Sequence, residues 1–84
     1  MKCFVYFLFS EKSGRFYVGI SNDIEDRFRR HNNAESISTR YGIPWKLVHT
    51  IECENKSAAM MLEKKIKARG ISRFLTDNHI TPIL

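Results

Sequence analysis

In this 84-residue chain, five side chains stand out for their chemistry and spacing: Tyr6, Tyr17, Arg27, His31 and Glu63. A phenol has a pKa of about 10 and is seldom ionised at neutral pH. To act as a base it needs nearby positive charge, a hydrogen-bond network or a concerted proton handoff. Histidine titrates near neutrality without such help. Arginine carries a fixed charge that can oppose an anion, and a carboxylate can hold a hard cation. Taken singly, each has an ordinary structural role. Buried tyrosines are usually core aromatics with a satisfied hydroxyl. A helical arginine is usually a surface ion-pair partner, and a glutamate followed by Lys64, Lys65 and Lys67 usually belongs to a solvated helix face. Only their joint spacing raises Tyr6, Tyr17, Arg27 and Glu63 above those roles.

The elements that must carry them are written close together. Cys3 to Ser10 (CFVYFLFS) is an aromatic strand, and Phe16 to His31 (FYVGISNDIEDRFRRH) runs from strand through a tight passage into a helix. Four residues, Glu11 to Gly14, link the two strands as a hairpin. With that loop, Ser10 faces Arg15, Leu8 faces Tyr17 and Tyr6 faces Gly19, so both phenols share one side of the sheet as diagonal neighbours. Gly19 leaves an open spot beside Tyr6 where a substrate or a packed helix can approach the backbone. The first strand is apolar on both parities, Phe4, Tyr6 and Leu8 against Cys3, Val5, Phe7 and Phe9, and such a strand belongs in the middle of a sheet.

Asn22 is the expected helix N-cap, with Glu25 reaching back to it and Asp23, Glu25 and Asp26 set against the positive end of the dipole. Those acids read as helix-start chemistry and not as metal ligands. Ile24 and Phe28 form the buried stripe, while Arg27 and His31 lie four apart along its edge and Arg30 extends that edge. Arg29 points elsewhere, into solvent. His31 has two readings of equal weight: a partner of Arg27 at one phosphate, or a favourable charge near the helix C-terminus.

Asn32 to Pro44 reads as a loop with a short helical turn, in which Thr39, Arg40 and Tyr41 are available to touch a nucleic acid. Trp45 to Cys53 alternates as a third, half-exposed strand, Trp45, Leu47, Ile51 and Cys53 against Lys46, Thr50 and Glu52, with Val48 and His49 as exceptions. A helix from about Lys56 to Arg69 carries the stripe Ala58, Ala59, Leu62 and Ile66 and stops at Gly70. Glu63 sits on the shoulder of that stripe, about 60° from Ile66 on a helical wheel. Ser72 caps a final short helix to Asp77, and the tail Thr81 to Leu84 is ambiguous, Pro82 arguing against a central strand.

Phe4-Val5-Tyr6, then Tyr17-Val18-Gly19 ten residues later, Arg27 in a helix and Glu63 in a second helix together resemble the GIY-YIG nuclease family. The resemblance runs from Phe4 to about Arg73 and is closest to the short stand-alone bacterial members, relatives of the N-terminal domain of a bacterial repair excinuclease. It implies that Tyr17 acts near the attacking water as general base or relay, with Tyr6 beside it. It further implies that Arg27 neutralises the scissile phosphate and that Glu63 holds one divalent cation, magnesium or manganese. His31 is the rival base. Gly19, Arg30, Arg40 and Lys67 are the candidate DNA contacts. Phe4 departs from the glycine of the family name at a strand position that needs no special dihedral. Ile20 stands where some active members carry a lysine or another polar group.

Fourteen lysines and arginines against nine acids give a formal charge of +5, which favours a polyanionic partner without requiring one. Cys3 and Cys53 lack the spacing of a zinc site or a disulfide framework. The apolar start is too short for a secretory signal, and no other stretch is long enough to span a membrane, so a soluble cytoplasmic protein is expected.

The expected architecture is one α/β domain over residues 1–84, a three-stranded antiparallel sheet with the first strand central and helices on both faces. The expected function is metal-dependent hydrolysis of DNA phosphodiester bonds, branched or single-stranded substrates and RNA included in the range. Little sequence specificity is expected without a reader domain. The alternative is a non-catalytic nucleic-acid-binding protein that keeps the fold.

Overall fold

The structure, a computed structural model, describes residues 2–80; the ambiguous tail at Thr81 to Leu84 lies outside them. Three strands, β1 (Cys3–Ser10), β2 (Arg15–Ser21) and β3 (Trp45–Cys53), form an antiparallel sheet in the order β2-β1-β3. Three helices, α1 (Ile24–Asn32), α2 (Lys56–Arg69) and α3 (Ile71–Asp77), and a 3-10 helix at Ile37–Gly42 cover it. The β1–β2 register pairs Ser10 with Arg15, Leu8 with Tyr17 and Tyr6 with Gly19, as the four-residue loop requires. Gly14 takes the left-handed conformation that closes the loop, at φ 71°.

β1 is central because both its faces are apolar. On one face Val5, Phe7 and Val18 pack with Ala59 and Ile66 of α2 and Leu75 of α3. On the other, Tyr6, Leu8 and Trp45 pack with Ile24 and Phe28 of α1. The sheet is therefore covered on both sides, as the double parity of the strand demands.

Three local expectations are corrected. The N-cap of α1 is Asp23, whose carboxylate accepts from the Asp26 amide at 3.1 Å, one residue later than Asn22. Ser21 explains the shift: its hydroxyl accepts from the Asp23 amide at 2.9 Å, which holds the passage extended for one more residue. Gly70, at φ 100°, ends α2 and leads directly into α3, so Ser72 lies inside that helix and does not cap it.

The third correction concerns β3. Its pairing with β1 shifts between Phe7 and Leu8, where His49 faces Phe7 but Leu47 faces Leu8, leaving Val48 as the extra residue of a β-bulge. A bulge switches side-chain parity. Trp45 therefore packs on the α1 face while Ile51 and Cys53 pack on the α2 face, and the single apolar stripe expected for this strand is divided between the two cores. Leu47 is left exposed.

Candidate active site

The β1–β2 hairpin sets the two phenols side by side. Tyr6 and Tyr17 have ring centroids 6.3 Å apart, with their planes tilted by 40°. Tyr6 is buried and Tyr17 half-buried. The Tyr6 ring lies over Gly19: a Cβ built there would sit 2.5 Å from the Tyr6 hydroxyl and 2.6 Å from Cζ. The space that the sequence leaves open for a substrate is thus occupied by Tyr6 itself. Gly19 is buried, which removes it as a surface contact for DNA.

His31 sits near the C-terminal end of α1, as one of its two readings has it, but buried and not as an exposed charge. It projects inward from the last turn of α1, only 2% exposed, and does not share the solvent edge with Arg27. Its Nε2 meets the Tyr6 hydroxyl at 2.9 Å and its Nδ1 meets Thr39 Oγ1 at 2.8 Å. Thr39 donates its hydroxyl to the Ser36 carbonyl at 3.4 Å, so it accepts from Nδ1–H. The neutral tautomer assigned from this network has Nε2 accepting from Tyr6. Donation then runs in one direction, from Tyr6 through His31 and Thr39 to the Ser36 carbonyl. Thr39 is fully buried and belongs to this chain of bonds, not to a nucleic-acid surface.

Trp45 fastens the 3-10 helix that carries Thr39. Its indole donates to the Thr39 carbonyl at 2.7 Å, and its ring lies over Gly42, where any added Cβ would collide with it. Asn32 ties the end of α1 to the same residue, accepting from the Trp45 amide at 2.6 Å and donating to its carbonyl at 3.1 Å. Tyr41 stands edge-on to Trp45 and is exposed. Sequence periodicity gives no sign of these roles for Thr39, Gly42 and Asn32, because Thr39 depends on the 3-10 helix meeting His31 of α1, and Gly42 and Asn32 on how Trp45 of β3 packs against them.

Charge reaches the phenols from two sides. Burial raises the pKa of both tyrosines; for Tyr17 the Glu63 carboxylate raises it further and the Arg27 guanidinium opposes the rise. Tyr6 is raised by burial and then by Tyr17, with Arg27 and Glu63 acting in the same opposed senses. Glu63 stands on α2, which packs on the opposite sheet face from α1, yet its carboxylate acts on the same two hydroxyls as Arg27. Burial first, and then Arg27, lower the pKa of His31, so the imidazole is neutral at neutral pH.

The arginines of α1 divide by partner. Arg29 and Arg30 both pair with Asp26, at 2.6 and 3.0 Å, so Arg29 is not merely solvated and Arg30 is committed within its own helix. Arg27 is exposed and makes no ion pair among the described residues. Arg40 donates from Nε to the Ala34 carbonyl at 3.0 Å, and Lys67 approaches Glu63 at 3.7 Å. Both remain exposed.

Among the described residues no three His, Cys, Asp or Glu side chains gather into a metal cluster. A lone carboxylate is still sufficient for magnesium, which keeps most of its waters and takes one or two protein carboxylates. Glu63, with its side chain 23% exposed and its charge felt by both phenols, fits such a hard hydrated ion. It does not fit zinc, which prefers several nitrogen or sulfur ligands.

Residues 2–72 match the family model described as the GIY-YIG catalytic domain. The chain belongs to the GIY-YIG family. This is a family of nucleases, whose substrates are nucleic acids. A UPF0213 protein of Bacillus licheniformis is 32% identical over 77 residues, which cover 86% of this chain and 78% of that one. Another UPF0213 protein, from Natronomonas pharaonis, is 40% identical over 53 residues, 62% of each chain. The solution NMR structure of a UPF0213 protein from Bacillus halodurans aligns with a TM-score of 0.60 at 25% identity, covering 98% of this chain and 87% of that one. The GIY-YIG fold and its stand-alone form are thus both matched. No helix among the described residues is long and apolar enough to cross a membrane.

Proposed function

We propose that this GIY-YIG protein is an endonuclease that hydrolyses DNA phosphodiester bonds in the cytoplasm with the help of one magnesium or manganese ion. What supports this reading is that Arg27 and Glu63, on helices covering opposite faces of the sheet, act on the same pair of phenols. On this reading a phosphate bound at Arg27 meets Tyr17 as its base, and Glu63 offers the carboxylate suited to a cation.

Arg27 binds the scissile phosphate and balances the charge that builds on its oxygens in the transition state. Tyr17 accepts a proton from the attacking water. Its raised pKa keeps it a neutral phenol at neutral pH, so it must pass its own proton on as it takes up the water's. The acceptor at hand is Tyr6, whose hydroxyl proton moves in turn to Nε2 of the neutral His31. The water O–H bond breaks, an oxygen–phosphorus bond forms, the bond to the leaving oxygen breaks, and the imidazole becomes charged. Glu63 would hold the divalent cation, which supplies Lewis-acid stabilisation of the leaving oxygen. Tyr17 and Tyr6 thus act as a relay and His31 as the terminal acceptor. Because Arg27 recognises a phosphate and not a base, sequence selectivity is low.

The test is nicking of supercoiled plasmid with and without magnesium or manganese, beside a DNA-binding titration at two salt concentrations. The reading predicts metal-dependent nicking. Metal-independent, salt-sensitive binding with no nicking identifies a non-catalytic binder instead.

A further inference from the structure

Where β1 begins and β2 ends, a pocket of about 260 Å³ is lined by Lys2, Arg27 and Lys56 together with Ile20, Ser21 and Asn22. Its three cations come from three elements: the approach to β1, the middle of α1 and the first residue of α2. Among the described residues no carboxylate lines it. Lys56 and Arg27 make no ion pair among the described residues. Lys2 meets Glu52 at 2.7 Å, but this is an exposed pair of small net worth that an incoming anion can displace. The Ser21 hydroxyl is committed to the Asp23 backbone, so recognition here falls to charge. Lys56 opens a fourteen-residue helix whose first turn holds no acidic residue, so the positive end of its dipole adds to the lysine.

Three cations gathered with a single exposed counter-ion, Glu52 at Lys2, create a local potential that draws an anion. At about 30 Å³ per water, the pocket has room for a phosphate and its sugar. Arg27 connects it to the phenols, since the same guanidinium lines the pocket and acts on Tyr6 and Tyr17. We propose that this pocket holds the backbone phosphate next to the one at the phenols, with Lys56 as its principal contact. One strand is thereby fixed in direction across the site. The inference rests on the reading of the chain as a nucleic-acid binder, but not on its catalysis.

Two metal-free measurements test it. In the first, inorganic phosphate is titrated into labelled protein and amide shifts are followed by NMR; shifts are expected at Ser21, Asn22 and Lys56. In the second, a single-stranded oligonucleotide is titrated at several salt concentrations with wild type, Lys56→Gln, Lys2→Gln and Lys12→Gln. Lys12 lies in the β1–β2 loop at the opposite end of the sheet and serves as the charge-matched control. Lys56→Gln is expected to bind several-fold more weakly, with its log–log salt slope reduced by about 0.7. Lys2→Gln should show a smaller loss and Lys12→Gln none. Equal losses in Lys56→Gln and Lys12→Gln, or an unchanged slope in Lys56→Gln, overturn the proposal. So do phosphate shifts without any loss of strand affinity, which make the pocket a free-anion site. A wild type that binds as expected but never cuts supports the pocket and removes the catalytic reading alone.

Discussion

Tyr6 and Gly19 face each other across β1 and β2, and the tyrosine ring fills the volume that any side chain at position 19 would need. The glycine is the seat of the first phenol. Tyr6 cannot swing away without breaking its 2.9 Å bond to the buried His31.

Gly19→Ala therefore overpacks the site instead of merely stiffening a strand. We expect a loss of about 1–3 kcal/mol in stability by denaturant titration. Nicking should be lost even at temperatures where the variant is fully folded. A variant as stable and as active as wild type would show that the ring has room to move.

How much of this was legible in the sequence depended on whether a feature was local. The hairpin register, the limits of β3 and α2, and the central place of β1 follow from alternation, a four-residue loop and double parity. These are local rules acting on adjacent residues. The positions of Tyr6, Tyr17, Arg27 and Glu63 in a recognisable order pointed to the family. What stayed hidden depended on distant segments meeting. His31 reads as an edge residue on a helical wheel, yet the 3-10 helix folds over it and Thr39 claims its Nδ1. Val48 and His49 broke the alternation of β3, but only pairing with β1 identifies a bulge that sends Trp45 to one core and Ile51 to the other.

The buried imidazole makes stability depend on pH. Burial and Arg27 hold the His31 pKa below its usual 6.5, so between those two values the unfolded chain binds more protons than the folded one. The stabilisation is complete above about pH 6.5 and is lost as pH falls from there towards the folded-state pKa. Thermal melts from pH 8 to pH 5 should fall more steeply in wild type than in His31→Gln. Equal slopes in the two proteins would contradict the buried, neutral imidazole.

The proton relay predicts the shape of the rate profile. With Tyr17 protonated throughout the neutral range, a phenolate acting alone would make the rate rise about tenfold per pH unit up to a pKa above 10. Transfer through Tyr6 to neutral His31 instead gives a plateau from about pH 7 upward. Tyr17→Phe should retain DNA affinity and lose most of the rate. A unit slope between pH 7 and pH 9 in wild type would remove His31 from the mechanism.

Arg27 differs from Arg29 and Arg30 because no carboxylate among the described residues claims it. Arg27→Ala is expected to lower the nicking rate by roughly 10²-fold and to weaken DNA binding, with a salt slope smaller by about 0.9 on duplex. Arg29→Ala should change neither by more than a small factor. Quantified nicking and binding isotherms on the two variants distinguish them.

The central claim is that Glu63 is the one carboxylate through which a divalent cation serves the phenol site. Its most direct measurement is the initial rate of plasmid nicking by wild type and Glu63→Gln across a magnesium series, with folding of both checked by circular dichroism. Glu63 is only partly exposed on α2, and a glutamine there keeps its shape, so the variant should fold normally. We predict that wild type nicks with a saturable magnesium dependence, and that folded Glu63→Gln shows neither nicking nor any response to magnesium. A folded Glu63→Gln that nicks at the wild-type rate with the same magnesium requirement would contradict the assignment.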